Sequence, residues 1–495
     1  MSGADQSMLK VSINRIYLLR SALFALLLLW PLLLFGRPAY MDDSAAYQNG
    51  GEQAVSFMLR KLHMAAPEAR KMPAALGAGK EARPVAAPAA EGGKDTKVAR
   101  SIPYSVLGYV LGGPGMTMAW LAVFQAATTA LALVALFEGV AGPGWRPFVL
   151  MAGLCGFASP LAPIITFIMP DCYAPVMIGV MAILPFFWAR FSGAMRLLLL
   201  GIATLGVSLH TSHPPIALGT ALAITPLLVL LRRWGPTKLG QTLTILWTPA
   251  LLGVALVMLS GLIGFGKASI SPKHYPLALA RAVDNGPARW YLEEECKNPR
   301  RYAICEVYGT RIPLTVQEML WSKDSLIVRA TPRQLDRVRA EERTIIIETT
   351  KRYPLQQLYL VAHDVPEQLI VFRLNYFRYD SEIVRNAAGD IILRTPPGEA
   401  RQSALYAGLE AVNDAMVALG LLALLWMWRG MSSAQRSVIV IMLTGLLANA
   451  AVCAIFSGVA PRYQARVVWL IPWLALAIGW ARYRASHITE QGVIR

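Results

Sequence analysis

Long apolar stretches separated by polar loops dominate the chain, and their lengths predict membrane-spanning helices. A helix needs roughly 17–25 mostly apolar residues to cross a bilayer, and about ten stretches are long enough. The predicted spans are residues 16–36, 116–137, 147–169, 173–189, 196–213, 214–231, 241–264, 407–428, 437–457 and 467–481. No clean small-residue cleavage site follows the first stretch, so we interpret it as a helix and not as a signal peptide.

Two long polar segments interrupt this pattern and divide the chain into three parts. Residues 1–266 form a first membrane module that contains a long loop, 37–115. Residues 267–405 mix charged positions with apolar positions at helical spacing, which predicts a small, mainly helical soluble domain. Residues 406–495 form a second membrane module. The expected fold is therefore a mainly α, polytopic membrane protein with one small soluble domain.

The first long loop itself has three parts. Its start, from Gly36 to His63, predicts a turn followed by an amphipathic helix. Its middle, from Ala66 to Arg100, is rich in Ala, Pro, Gly and Lys, and such a composition predicts mobility. The short apolar piece that begins at Ser101 is too brief to span, so we expect it to lie along the membrane surface.

Composition supports a membrane protein and charge gives its orientation. The chain is 55% hydrophobic and only 16% charged, with a mean hydropathy of +0.45. Basic residues in short loops mark the cytoplasmic side. With the N-terminus inside, basic residues such as Arg146, Arg190 and Arg482 fall on that side, and both long segments fall outside. The net charge of +17 then reflects topology, and we expect no nucleic-acid partner.

Arg462 and Arg466 depart from that rule, because the same topology puts them outside. Two arginines four residues apart share one helical face and can hold a phosphate or diphosphate. Snorkelling to lipid headgroups is the simpler alternative. We favour anion binding, with the neighbouring Tyr463 and Gln464 as substrate contacts.

Three further polar features fall at the same predicted face. Asp42 and Asp43 follow the first span, where an acidic pair can accept a proton from a hydroxyl group or hold a divalent cation; a helix cap is the structural alternative. Asp171 is the acidic residue of the next outward hairpin. His210 and His213 can bind metal or donate hydrogen bonds to a phosphate. Tyr47 lies next to the acidic pair and is a third expected substrate contact.

The five cysteines do not form a disulfide scaffold. Cys155 and Cys453 lie in predicted spans, where cysteine usually behaves as a small hydrophobe, and Cys172 lies at a span end. Cys296 and Cys305 lie nine residues apart in the outward segment. We expect these two to form a local disulfide in an oxidising compartment.

The layout resembles that of the GT-C class of polytopic glycosyltransferases. The resemblance rests on four features. They are the "DD" after the first helix, a second acidic residue in the next outward hairpin, basic residues in a later outward loop, and an outward soluble domain. The resemblance implies transfer of a sugar from a polyprenyl-phosphate donor at the outer face of the cytoplasmic membrane. It implies that Asp42, Asp43 and Asp171 are catalytic and that Arg462 and Arg466, helped by His210 or His213, hold the donor phosphate.

This resemblance leaves the acceptor open among a lipid, a polysaccharide and a protein. A divalent cation such as Mg²⁺ or Mn²⁺ is compatible with "DD" but not required, since arginine can supply the positive charge. The soluble domain also lies between spans seven and eight, whereas several family members carry theirs at the C-terminus. Alternative functions are an O-antigen ligase or polysaccharide polymerase that uses a diphosphate-linked glycan, a membrane acyltransferase with a histidine base, and a transporter of a lipid-linked substrate.

Overall fold

The computed structural model describes residues 10–64, 100–113, 117–230, 239–374, 377–386, 391–400 and 402–493. The stretch predicted to be mobile, 66–100, lies outside the described residues except for Arg100. The first membrane module contains the helices α1 (Arg15–Leu28), α2 (Trp30–Phe35), α3 (Asp42–Lys61), α4 (Ile102–Val110), α5 (Ala119–Ala141), α6 (Trp145–Phe157), α7 (Leu161–Thr166), α8 (Tyr173–Phe187), α9 (Gly193–Leu209), α10 (His213–Leu230) and α11 (Leu239–Phe265).

The rest of the described chain is helical apart from one hairpin. Its elements are α12 (Leu277–Asp284), α13 (Pro287–Glu295), α14 (Ala303–Tyr308), α15 (Val316–Leu320), α16 (Leu326–Arg329), α17 (Pro332–Arg352), α18 (Pro354–Ile370), β1 (Glu382–Arg385), β2 (Ile391–Arg394), α19 (Ser403–Met427), α20 (Ser433–Phe456), α21 (Pro461–Val468) and α22 (Leu470–Val493). The mainly helical fold therefore agrees with the prediction, and the antiparallel hairpin is an addition to it.

Seven stretches of the described chain are helical, long and apolar enough to cross a membrane. They are Ala119–Ala141, Pro170–Arg190, His213–Leu230, Leu239–Phe265, Ser403–Gly430, Ser433–Phe456 and Pro461–His487. The three other predicted spans correspond to shorter helices. Helix α1 ends at Leu28 and α2 begins at Trp30 with Pro31 as its second residue, and Pro160 lies between α6 and α7; a proline has no N–H to continue a helix. The third shorter helix, α9, ends before His210.

Helix α8 lies at the centre of the bundle. It packs against α5, α9, α11 and α20, and all of its side chains are buried. Asp171 lies just before its N-terminus, in the short turn Pro170–Cys172. The polar group at the end of this central helix is therefore enclosed by the surrounding helices.

The two surface helices of the first long loop are packed closely against each other. A Cβ on Gly51 of α3 would lie 2.1 Å from the backbone oxygen of Ser105 of α4, so only glycine permits this approach. Ser101, at the start of α4, donates to the backbone oxygen of Ser208 at 3.2 Å. We call the face of the bundle that carries α3, α4, the α9–α10 turn and segment 267–405 the loop face.

Segment 267–405 has two structural parts. Helices α12 to α17 enclose a separate apolar core that extends from Leu279 to Ile345, and a disulfide joins Cys296 to Cys305, the pairing that the sequence favours. The later part packs on the bundle instead. Helix α18 contacts α20 and α21, and the hairpin β1–β2 contacts α3.

Candidate functional site

The acidic pair begins α3, and a serine fixes that helix end. The Ser44 hydroxyl accepts from the backbone N–H of Met41 at 3.1 Å and donates to the backbone oxygen of Ile168 at 2.9 Å. This brings Asp42 and Asp43 next to the turn that carries Asp171. Carboxylates in a first helical turn are also favoured by the helix dipole, so their position has a structural benefit as well.

Asp42 and Asp43 differ in their surroundings. Asp43 is half-buried and accepts a charged hydrogen bond from Arg100. Asp42 is open to solvent and has no ion-pair partner among the described residues. Nearby protein atoms nevertheless desolvate its carboxyl group, and this effect, together with repulsion by Asp43, raises the pKa of Asp42, against an opposing contribution from Arg100. A carboxylate with a raised pKa is suited to accept a proton.

Arg466 is fully buried and fully engaged. Its Nη1 donates to Asp171 Oδ1 at 2.9 Å. Its Nε and Nη2 donate to Asn449 Oδ1 at 3.1 and 2.8 Å, and Nη2 also lies 3.4 Å from Ser212 Oγ. Helices α20 and α21 and the turns that precede α8 and α10 therefore meet at this one guanidinium group.

Arg462 has a different environment, although it lies on the same helix one turn earlier. Its Nη1 lies 2.7 Å from Met41 Sδ, and its guanidinium carbon lies 4.9 Å from the ring centroid of Tyr463. It interacts electrostatically with Asp171 and Asp43 but forms no ion pair with any described residue. Of the two arginines predicted to bind phosphate, Arg462 is thus the one whose charge is not neutralised by a contacting carboxylate of the described residues.

The two histidines lie behind Arg466. Ser212 links His210 to it: the Ser212 hydroxyl lies 2.7 Å from His210 Nδ1, and the Ser212 backbone N–H also donates to that nitrogen, at 3.1 Å. His213 is buried and its Nδ1 lies 2.7 Å from the backbone oxygen of Gly206, which can only accept. The Nδ1 of His213 therefore carries the proton.

Two buried polar atoms near this arginine have no hydrogen-bond partner in the described part of the chain. They are Asp171 Oδ2 and His213 Nε2. Buried polar atoms of this kind are usually satisfied by ordered water or a ligand. This interior polar cluster therefore has unused hydrogen-bonding capacity below the loop face.

The three predicted substrate contacts are in the same region but are all buried. Tyr47 interacts electrostatically with Asp43, Arg100, Asp171 and Arg462, and its pKa is raised, mainly by burial. The Tyr463 hydroxyl is 2.7 Å from Ser457 Oγ. The Gln464 amide oxygen accepts from Asn449 Nδ2 at 3.1 Å, so this side chain supports the Arg466 cluster.

Segment 267–405 contributes to the site through residues that the sequence analysis did not select. The guanidinium carbon of Arg100 lies 4.5 Å from the ring centroid of Tyr275 and 5.8 Å from that of Trp321. Arg100, His210 and Lys273 also line one small recess. Arg100 is the last residue of the stretch whose composition predicts mobility, so the sequence gives no reason to select it. No local sequence pattern indicates that Tyr275 and Trp321 are its partners.

Metal-binding capacity is found elsewhere in the described residues. The one group of three suitable side chains is His363, Asp364 and Glu367 on α18, and Asp364 already pairs with Arg281 at 2.8 Å. At the acidic pair, the neighbouring positive charges are Arg100 and Arg462.

Comparison with family models, curated proteins and solved structures finds no match. The chemistry of the site therefore has to be argued from its own residues.

Proposed function

We propose that the protein is an integral membrane glycosyltransferase. It transfers a sugar from a polyprenyl-phosphate donor to a hydroxyl group of a lipid, polysaccharide or protein acceptor. In this proposal the loop face is the outer face of the cytoplasmic membrane, where nucleotide-activated sugars are not available and a lipid-linked donor supplies the activated sugar.

One observation carries the proposal: Arg462, which forms no ion pair with any described residue, contacts the N-cap residue of the helix that begins with the exposed Asp42. Arg462 contacts Met41, the residue before Asp42. A fixed positive charge stabilises a leaving phosphate, and a carboxylate beside it accepts a proton from the attacking hydroxyl. Glycosyl transfer from a phosphate needs both groups within one small site.

The proposed reaction assigns a step to each of these residues. The acceptor oxygen attacks the anomeric carbon, and the bond from that carbon to the phosphate oxygen breaks. The electron pair leaves with the polyprenyl phosphate, whose charge Arg462 stabilises. Asp42 takes the proton of the acceptor hydroxyl. Asp43 and Arg100 hold the first turn of α3 in place, and Arg466 holds the bundle below.

Mass spectrometry of cell-surface glycolipids and polysaccharides tests this proposal. A deletion strain is complemented with the wild type, Asp42→Asn, Arg462→Gln, or the controls Asp324→Asn and Arg300→Gln, which change exposed residues away from the site. We expect a sugar-sized mass to disappear on deletion and to return with the wild type and both controls only.

Full restoration by Asp42→Asn would overturn the role of the base. It would favour ligation of a diphosphate-linked glycan, which needs no acidic pair. Product loss with an acyl-sized mass difference would instead indicate an acyltransferase.

A further inference from the structure

Helix α18 exposes a continuous apolar face. The exposed fractions of Leu355, Leu358, Tyr359 and Ile370 are 75%, 66%, 66% and 72%. Leu355, Leu358 and Tyr359 lie at positions i, i+3 and i+4, which form one side of a helix. No side chain between Pro354 and Ala362 is charged. An apolar face of this size is unusual on a surface that contacts only water.

The opposite side of α18 fixes the direction in which this face points. The Gln368 amide makes two hydrogen bonds to the backbone of Ala460, at 3.0 and 2.8 Å. Asp364 pairs with Arg281 of α12 at 2.8 Å. These hydrogen bonds and this ion pair fix the rotation of α18 about its own axis. The helix therefore cannot turn to bury its leucines.

The surroundings of α18 indicate what covers the face. The helix packs against α20, which is long and apolar enough to cross a membrane. In the last turn of α20, the exposed fractions of Ile455 and Phe456 are 40% and 49%. Exposed fractions on the spanning helix α19, such as 62% for Leu422, are similar to those on α18. The apolar face of α18 therefore lies beside a helix whose own exposed apolar side chains lipid would cover in a membrane.

We propose that α18 docks into the membrane leaflet on the loop face and that lipid acyl chains cover Leu355, Leu358 and Tyr359. An amphipathic helix lies in this way at the boundary between headgroups and acyl chains. Segment 267–405 is then not wholly in water: α12 to α17 form its soluble part and α18 rests in the bilayer. This inference is independent of the proposed reaction.

Spin labelling of the full-length protein in lipid nanodiscs tests the inference. Single cysteines replace three leucines of comparable exposure: Leu358→Cys on α18, Leu422→Cys on α19 and Leu314→Cys, which is 55% exposed in the soluble part. The native free cysteines are buried, so the unsubstituted chain provides the labelling background. Collisions with oxygen report lipid, and collisions with a water-soluble nickel chelate report water.

We expect the label at position 358 to resemble the label at position 422, with a ratio of oxygen to nickel accessibility several-fold higher than at position 314. A ratio equal to that at position 314 would overturn the inference. A label at position 358 that is immobile and shielded from both reagents would also overturn it, because a protein surface would then cover the face.

Discussion

The two arginines of α21 show how one helical turn separates two roles. Arg466 is enclosed by Asp171 and Asn449, whereas Arg462 is held against Met41 and the Tyr463 ring. A buried ion pair contributes modestly as a pair, but loss of one partner leaves an uncompensated buried charge. The stability of the bundle and the chemistry of the site therefore depend on different arginines.

This difference predicts opposite phenotypes for two similar substitutions. Arg466→Gln should lower the free energy of unfolding by about 3–5 kcal/mol, since Asp171 remains buried without its cation. Arg462→Gln should change it by less than about 1 kcal/mol, as is usual away from such a pair, and should abolish product formation. Thermal unfolding in nanodiscs and product analysis measure both. Equal destabilisation by the two would contradict the assignment.

The raised pKa of Asp42 predicts a particular acid limb for the transfer rate. A base works only when deprotonated, so the rate should fall on acidification at a pH above the ordinary aspartate pKa of about 3.9. Asp43→Asn removes a neighbouring negative charge that raises the pKa of Asp42. It also frees Arg100, whose positive charge lowers the pKa of Asp42. The acid limb of that variant should move to lower pH. Residual transfer rates measured from neutral pH downward test this, and an unchanged limb would mean that another group is the base.

Much of the site at this scale was accessible from sequence. The conflict between Arg462, Arg466 and the positive-inside rule identified both arginines, and the "DD" after the first span identified the acids. Which arginine is enclosed could not be predicted, because the answer depends on how Asn449 of α20 and Asp171 pack against α21.

At the scale of elements, the stack on Arg100 connects the α12–α17 core, against which Tyr275 and Trp321 pack, to the acidic pair. Arg100 contacts Asp43 on one side and the rings of Tyr275 and Trp321 on the other. The aromatic pair itself is compact, with ring centroids 4.6 Å apart. The α12–α17 core thereby fixes the cation that orients Asp43.

Removal of one ring should therefore affect catalysis from outside the bundle. A cation–π contact is worth about 0.5–2 kcal/mol, so Tyr275→Leu should lower the transfer rate by a factor between about 2 and 30. Tyr275→Phe retains the ring and serves as the matched control, with a rate near that of the wild type. If the Phe variant lost as much activity as the Leu variant, the hydroxyl and not the ring would be the important group.

Helices were easier to predict than their interruptions. Apolar length predicted ten spans, of which seven are long apolar helices in the described chain, and α3 follows the amphipathic pattern after Arg37. The division of the first stretch near Pro31 was harder, because membrane helices often continue through proline. The hairpin β1–β2 gave no clear signal, since each strand has only four residues.

At the scale of the whole molecule, the described part of the chain has two apolar cores, and of these only the smaller one contains a disulfide. The disulfide between Cys296 and Cys305 lies within the core formed by α12 to α17. A small core gains proportionally more from such a link than a large bundle does.

Disruption of this disulfide should act locally. Cys296→Ala combined with Cys305→Ala should destabilise the α12–α17 core by about 3 kcal/mol, the value typical of a loop of this length. Hydrogen exchange should accelerate between Leu279 and Ile345 and stay unchanged in α8. Faster exchange in both regions would show that the two cores unfold together.

The late part of segment 267–405 is attached to the first loop and to α7 by side chains far apart in sequence. Glu382 pairs with Arg37 at 2.7 Å, and Arg385 pairs with Glu52 at 2.8 Å. The Tyr379 hydroxyl lies 2.8 Å from Thr166 Oγ1. Segment 267–405 therefore cannot be exchanged as a whole between proteins, because the exchange would remove these ion pairs and this hydrogen bond. A viable chimaera would exchange only α12 to α17. It would keep the native hairpin together with its own first loop.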